Sequence, residues 1–355
     1  MKTISPSMLA LPLFCCAATS AMAQAQAQAQ PQTQQNNVRL YGLVDVYAAS
    51  ASGGSGVSGV GGGRSTLVNN GGMTTSYWGV AGTEQLGDGL SAQFALESFF
   101  RADTGEAGRV PGEALFSRAA YVGLAGNWGT LRLGRLPNPL FVATSYANPF
   151  GFSTRLSPFV DQLWSVPFGS AIVGDTGWNN ALAYLSPTVG GVSLTLQGNL
   201  GEGAATSYGN NKAAVLRYTG AALALTAAAQ RVSNGLNISA AAPSQSVYFA
   251  AASYDFNIVK LYAGYNRANT EVSGRRTRTG HLGLSLPAGA GSWMLAWARS
   301  RESSALKAAF HRDTASAGYD HNLSLRTDLY SVFLHDKLSN AAAGNTLALG
   351  LRHKF

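Results

Sequence analysis

The last ten residues of the chain alternate in character. Leu347, Leu349, Leu351, His353 and Phe355 fall on one side of an extended strand, while Thr346, Gly350, Arg352 and Lys354 fall on the other. Successive side chains of a strand point to opposite faces, so a period of two gives one face to an apolar medium and the other to water. The same period recurs along the chain from Val38. It predicts strands near 38–50, 74–86, 89–102, 115–126, 129–136, 178–187, 191–200, 211–219, 221–231, 246–254, 258–269, 277–286, 290–302, 313–321, 327–338 and 346–355, sixteen in all. The connections alternate too. Those at 87–88, 127–128, 188–190, 220, 255–257, 287–289 and 322–326 are short, and those at 51–73, 103–114, 138–177, 201–210, 232–245, 270–276, 303–312 and 339–345 are mostly longer.

Composition decides what medium the apolar face meets. Charged residues make up 12% of the chain, against about a quarter in an ordinary soluble domain. No long apolar run exists outside the first residues, so neither a soluble enzyme nor a helical membrane protein fits. A transmembrane β-barrel exposes only alternate residues to lipid, which agrees with a mean hydropathy of +0.03. A soluble β-sandwich or β-helix is the competing reading, since alternation alone does not separate lipid from a protein core. The unbroken series of strands, and the small or polar residues at the alternate positions, favour the barrel. An even strand count places both termini at the short-turn side, and closure gives every backbone polar group a partner within lipid.

The N-terminus indicates export. Lys2 precedes an apolar stretch from Met8 to Ala18 and the small-x-small triplet Ala21-Met22-Ala23, the pattern of a signal peptide over residues 1–23. Cys15 and Cys16 both lie inside it, so the mature chain is expected to have no thiol, disulfide or Cys-ligated metal. Leu13-Phe14 do not supply the small residues that a lipoprotein signal needs before its cysteine. Residues 24–37 read as a flexible polar arm, and 38–355 as the barrel. The 25 Lys and Arg become 24 once Lys2 is removed, against 17 acids, a mature net charge of +7.

Particular motifs then narrow the class. The run Tyr77-Trp-Gly-Val-Ala-Gly-Thr-Glu-Gln-Leu-Gly87, the segments Phe94-Ala-Leu-Glu97 and Ser117-Arg-Ala-Ala-Tyr-Val-Gly-Leu124, and Gly129-Thr-Leu-Arg-Leu-Gly-Arg135 resemble the general diffusion porins of β-proteobacteria. So does the end, Leu323-Ser-Leu-Arg-Thr327 followed by Gly350-Leu-Arg-His-Lys-Phe355. The resemblance implies an all-β, 16-stranded antiparallel transmembrane barrel with short periplasmic turns, long extracellular loops and a third loop folded inward. It further implies a homotrimer in the outer membrane, surrounded by lipid and lipopolysaccharide, with Phe355 read by the barrel-assembly machinery. Tyr77, Ala81 and Leu325 stand where the family commonly has basic residues, so the positive ladder along the wall is thinned. The segment Asn148-Pro-Phe-Gly-Phe152 resembles a family turn that usually carries an acid.

The third long loop, Asn138 to Gly177, has 40 residues and no strong helix or strand pattern. Loops longer than about 12–15 residues are usually functional or disordered. This one carries Phe141, Tyr146, Phe150, Phe152, Phe159, Trp164 and Phe168, which favours packing inside the barrel as a constriction over an extracellular lid. Its charged residues are Arg155, Asp161 and Asp175. Strand parity turns Arg39, Asp45, Glu97, Arg101, Arg132 and Lys260 to the lumen, and Arg118 and Arg217 are assigned there with them. Bases outnumber acids on this face, so a weak anion preference is expected. Small residues at Ala119, Ala120, Gly123 and Ala125 are expected to let the walls of a trimer approach closely.

Other motifs fail on context. Gly54-Ser-Gly-Val-Ser-Gly59 fits a phosphate-cradle spacing, but no helix follows it. The five histidines are scattered, without the spacing of a metal site or a hydrolase constellation. Neither a cofactor nor a metal is called for, and the dispersed bases do not form a nucleic-acid patch. The expectation is a non-enzymatic, passive channel for small hydrophilic solutes and ions. The alternatives are a solute-specific porin with a binding track in the constriction loop, and a non-conducting adhesin-type barrel.

Overall fold

The structure is a computed structural model that describes residues 37–53, 63–165, 170–200, 210–233, 235, 238–239, 243–304 and 309–355. The expected signal peptide, all of the expected polar arm but Asn37, and Phe168 lie outside the described residues. The elements in chain order are β1 (Asn37–Ser52), β2 (Arg64–Asn70), β3 (Tyr77–Gly87), β4 (Leu90–Phe99), β5 (Ala119–Gly126), β6 (Gly129–Pro137), α1 (Pro139–Tyr146), α2 (Pro158–Trp164), β7 (Gly177–Leu185), β8 (Val192–Asn199), β9 (Lys212–Thr219), β10 (Leu223–Val232), β11 (Gln245–Asp255), β12 (Lys260–Thr270), β13 (Arg276–Ala288), β14 (Gly291–Ser303), β15 (Phe310–Asn322), β16 (Thr327–Leu338) and β17 (Gly344–Lys354).

Each strand pairs antiparallel with its neighbours, and β1 pairs with β17 from Leu43↔Lys354 to Ser52↔Asn345, closing the sheet. The barrel has sixteen strand positions because β2 and β3 share one. β3 pairs with the first half of β1 (Leu43↔Tyr77) and β2 with the second half (Val46↔Asn70). Residues 64–70 were expected in a loop; they form a strand instead. Between the two halves the chain bulges inward around Asp45. The Asp45 carboxylate accepts from the Met73 and Thr74 N–H groups at 2.8 and 2.7 Å and from the Tyr330 hydroxyl at 2.5 Å. Its backbone N–H donates to Ser76 Oγ. Gly72 is required here, since a Cβ would lie 2.1 Å from Tyr330 Oη.

Burial alternates along the strands as two media demand. On β16 Asp328, Tyr330, Val332, Leu334 and Asp336 are buried while Leu329 and Phe333 are exposed. A soluble protein would not leave Leu282, Trp293, Leu295, Trp297, Leu329, Phe333, Leu347, Leu349 and Leu351 on its surface; in lipid they are at home. Of the four small residues on β5 expected to serve intersubunit packing, Ala119, Gly123 and Ala125 share the inward parity and only Ala120 faces outward.

Two short helices interrupt the third loop, where no regular pattern was expected. Their caps are local: Asn138 Oδ1 accepts from the Leu140 N–H at 2.9 Å, Ser157 Oγ accepts from Val160, and Pro139 and Pro158 follow at N1. Proline there loses no helical bond and presets φ, so cap chemistry rather than periodicity is the signal.

Candidate functional site

The third loop leaves the wall after β6, crosses the lumen and lands on β13, β14 and β15. Gln162 is its central tie. Its Nε2 donates to Ala298 O at 3.0 Å and to Thr314 Oγ1 at 2.8 Å, and its Oε1 accepts from Ser300 Oγ at 2.6 Å. Asp161 on α2 pairs with Arg312 on β15, which also holds Asp336 at 2.9 Å. Phe159 is fully buried and stacks on His281 at 4.7 Å. On the near side Gln245 accepts from the Val173 N–H and donates to Ala171 O. Ser153 donates to Gly72 O at 2.5 Å, reaching the bulge held by Asp45. The loop therefore fills part of the bore and leaves its remaining free edge, Phe141, Tyr146, Phe152 and Trp164, as an edge-to-face aromatic cluster.

The acids expected in the pore are all engaged. Asp45 is fully buried in the bulge. Glu97 accepts from the Tyr41 hydroxyl and pairs with Arg118. Asp161 is 5% exposed, locked beneath Arg312 and so not part of the open lumen surface. Asp175 is held between Arg109 and Arg135, each at 2.9 Å. Burial alone would raise the Asp175 carboxyl, but the charges and hydrogen bonds of Arg109 and Arg135 outweigh it and hold it below the ordinary carboxylate range.

The bases divide into two groups. Arg101 pairs with Glu106 at 2.7 Å, and Arg118 with Glu97. Arg39, Arg132, Arg155, Arg217 and Lys260 have no acidic partner within 4.0 Å among the described residues. Most of the wall bases lie over a tyrosine ring: Arg39 over Tyr41 at 5.3 Å, Arg118 over Tyr77 at 3.9 Å, Arg132 over Tyr121 at 4.8 Å, Arg217 over Tyr146 at 4.9 Å and Lys260 over Tyr262 at 5.5 Å. A ring face attracts a cation without neutralising it, so the tyrosines orient these charges and leave them available. Arg132 and Arg217 meet at one lumen cavity of about 280 Å³ beside α1, lined also by Ser193, Thr195 and Gln197. Arg155 faces a second cavity of about 260 Å³ with Arg101 and Arg109.

Parity gives a side of each strand and says nothing of the pairing on it. The tyrosine supports were missed as well. Their signal was present in Arg39-x-Tyr41 and Lys260-x-Tyr262, where residues two apart share a strand face. Among the described residues no cluster of His, Cys, Asp or Glu could hold a metal, and no helix is long and apolar enough to cross a membrane.

This architecture defines a water-filled outer-membrane channel. The chain belongs to the Gram-negative porin family, whose pattern matches residues 12–341. It is 31% identical over 316 residues to outer membrane porin protein 32 of Delftia acidovorans, covering 85% of each chain. It is 27% identical over 350 residues to an outer membrane porin protein of Bordetella pertussis, covering 81% of this chain and 84% of that one. Among solved structures it is similar to the anion-selective porin from Comamonas acidovorans, with a TM-score of 0.74 and 26% identity over 90% of this chain and all of that one. The outer-membrane OmpT of Vibrio cholerae shares the fold, at a TM-score of 0.67 and 11% identity over 90% of this chain. The protein resides in the outer membrane and lets small solutes pass; family and fold are those of channels.

Proposed function

We propose that the channel passes small hydrophilic solutes without bond chemistry and prefers anions weakly. The observation that carries this is the inequality between charges: each expected acid is in an ion pair or a hydrogen-bond cradle, whereas Arg132 and Arg217 reach the same lumen cavity unpaired among the described residues. Fixed unpaired charge in a narrow aqueous bore raises the local concentration of the opposite ion. The anion-selective porin of Comamonas, similar over the whole barrel, agrees with that sign. The preference is modest because Tyr77 and Ala81 stand where the family's bases would add to it.

The test is single-channel recording across a KCl gradient. Wild type should show an anion-favouring zero-current potential, and the R132S/R217S variant should move it toward cations. The shift should shrink in concentrated salt, because the Debye length falls to about 3 Å at 1 M. A cation-preferring wild type, or an unmoved potential in the variant, overturns the reading.

A solute-specific reading rests on one observation, the aromatic edge of the loop, where Tyr146 is 55% exposed. Conductance block that saturates with one sugar or aromatic acid would select it, and flux linear in concentration would select general diffusion. Assembly as a homotrimer, export through residues 1–23, recognition of Phe355 by the barrel-assembly machinery and a surrounding shell of lipid and lipopolysaccharide belong to the same proposal. They are supported by family membership and by the N-terminal and C-terminal sequence. Light scattering in gentle detergent tests the first of these, a monomer being the contrary result.

A further inference from the structure

The outward face of β12, β13, β14 and β15 carries an arrangement that conduction does not use. Near the extracellular edge Arg267 lies directly opposite Arg278, Arg278 opposite Arg301, and Arg301 opposite His311. All four are exposed, and parity turns them away from the lumen. Arg276 adds a further exposed base one step higher on the same face of β13. Like charges directly opposite on neighbouring strands destabilise a sheet. The acids at hand reach only its end: Asp313 pairs with Arg299 at 2.7 Å and lies 4.0 Å from His311, and Glu302 is taken by Arg275 at 2.8 Å. Among the described residues Arg276, Arg278 and Arg301 have no acidic partner. Arg276, Arg278, Arg301 and His311 line an open groove of about 690 Å³ whose floor includes Tyr265, Gly280 and Trp297. Those three residues also border a second groove, about 820 Å³, directly below on the apolar wall. There Ala227, Ala250, Ala252 and Ala263 make a depression between the bulkier Leu225, Leu282 and Trp297. At Gly280, where the two meet, a Cβ would touch nothing within 4 Å.

A basic row above an apolar trough, joined at an aromatic level, matches an amphiphile with an anionic head and acyl chains. At the extracellular edge of an outer membrane that amphiphile is the bisphosphorylated, multiply acylated disaccharide of the outer leaflet. We propose that this face is a binding site for lipid A, with phosphate bridging Arg276, Arg278 and Arg301 and an acyl chain lying in the alanine trough. Bridging phosphate replaces guanidinium repulsion by charge-assisted hydrogen bonds. The inference rests on the outer-membrane location and not on ion preference, so it stands or falls separately from the selectivity reading.

The test is native mass spectrometry of the detergent-solubilised protein with bisphosphoryl lipid A, its dephosphorylated counterpart, or sodium phosphate. Wild type should retain the bisphosphoryl lipid roughly tenfold or more better than the dephosphorylated one, since several bases near an anionic headgroup each add to its retention. The R276S/R278S/R301S variant should lose that margin, and A250L/A252L, which fills the trough without adding charge, should lose retention of either lipid. Conductance should stay at the wild-type value in both variants, showing intact barrels. Excess sodium phosphate should not displace the lipid. Equal retention by wild type and the arginine variant, indifference to the lipid phosphates, or displacement by free phosphate would overturn the proposal.

Discussion

Arg312 of β15 and Asp161 of α2 are joined in an ion pair in which both side chains are 6% exposed, tying the inward loop to the wall opposite the strands it springs from. Asp336 closes the pair from below, accepting from Arg312 at 2.9 Å and from Thr314 Oγ1 at 2.7 Å. Removing one partner of such a buried pair costs about 3–5 kcal/mol, because the remaining charge is stranded. The cost falls on the loop, since the strand ladders do not depend on it. The R312A variant should therefore form barrels that conduct with larger and noisier single-channel currents than wild type. Wild-type conductance with quiet baselines would show that Gln162 and Phe159 suffice to hold the loop.

Arg118 and Glu97 make a second, more instructive pair. Both face the lumen, so their charges largely cancel for a passing ion. Replacing Arg118 by Ser should shift the zero-current potential less than replacing Arg132, which has no acidic partner among the described residues and whose guanidinium meets Gln93 at 3.4 Å and the face of Tyr121. E97Q should do the opposite and strengthen anion preference by releasing Arg118. Parallel shifts from R118S and R132S, or a cation shift from E97Q, would contradict this account.

The barrel was legible because alternation is imposed by the membrane itself: a strand such as β16 must show lipid one face and water the other, and the pattern survives in the sequence. What was not legible lacked that constraint. Residues Arg64 to Asn70 pair with the Ala- and Ser-rich half of β1 and carry little apolar contrast. The helices of the third loop are set by Asn138-Pro and Ser157-Pro caps, too short for a period to appear. Parity turns Asp45 inward, yet its carboxylate is consumed by Met73, Thr74 and Tyr330, partners that only the closed barrel brings to it. Parity gives direction along a strand; it does not tell which neighbour across the bore neutralises a charge.

The Asp175 clamp at the extracellular mouth sets a pH limit. Arg109 and Arg135 hold this carboxyl below the ordinary range, so its stabilising effect is fully present above the unfolded value of about 3.9. The effect is lost as pH falls through the depressed folded value. Hydrogen exchange of the 109–113 and 175–177 segments should stay slow from neutral pH through the usual carboxylate range and quicken only below it. In D175N the same segments should exchange faster at neutral pH and lose the acid transition. An opening already complete near pH 5 would be inconsistent with the double arginine clamp.

Phe355 ends the chain where the barrel closes. Its N–H donates to Gly42 O and its carbonyl accepts from the Gly42 N–H, both at 3.1 Å, extending the β1–β17 seam by one more pair. The ring covers Gly42 so closely that a Cβ there would lie 2.5 Å from it. Deleting Phe355 removes two seam hydrogen bonds, each contributing about 0.5–1.5 kcal/mol, together with the terminal aromatic. Deleting residues 24–36 leaves the described seam pairs, Leu43↔Lys354 to Ser52↔Asn345, in the chain. The yield of folded, heat-modifiable protein in the outer membrane should drop sharply for the first deletion and stay near wild type for the second. Gly42→Ala keeps the aromatic but crowds both its ring and the Tyr77 carbonyl, which a Cβ would approach to 2.6 Å. It should lower the thermal stability of the purified barrel while leaving insertion closer to wild type than the deletion does. Equal yields from the two deletions would mean that neither the seam pair nor the terminal aromatic governs assembly.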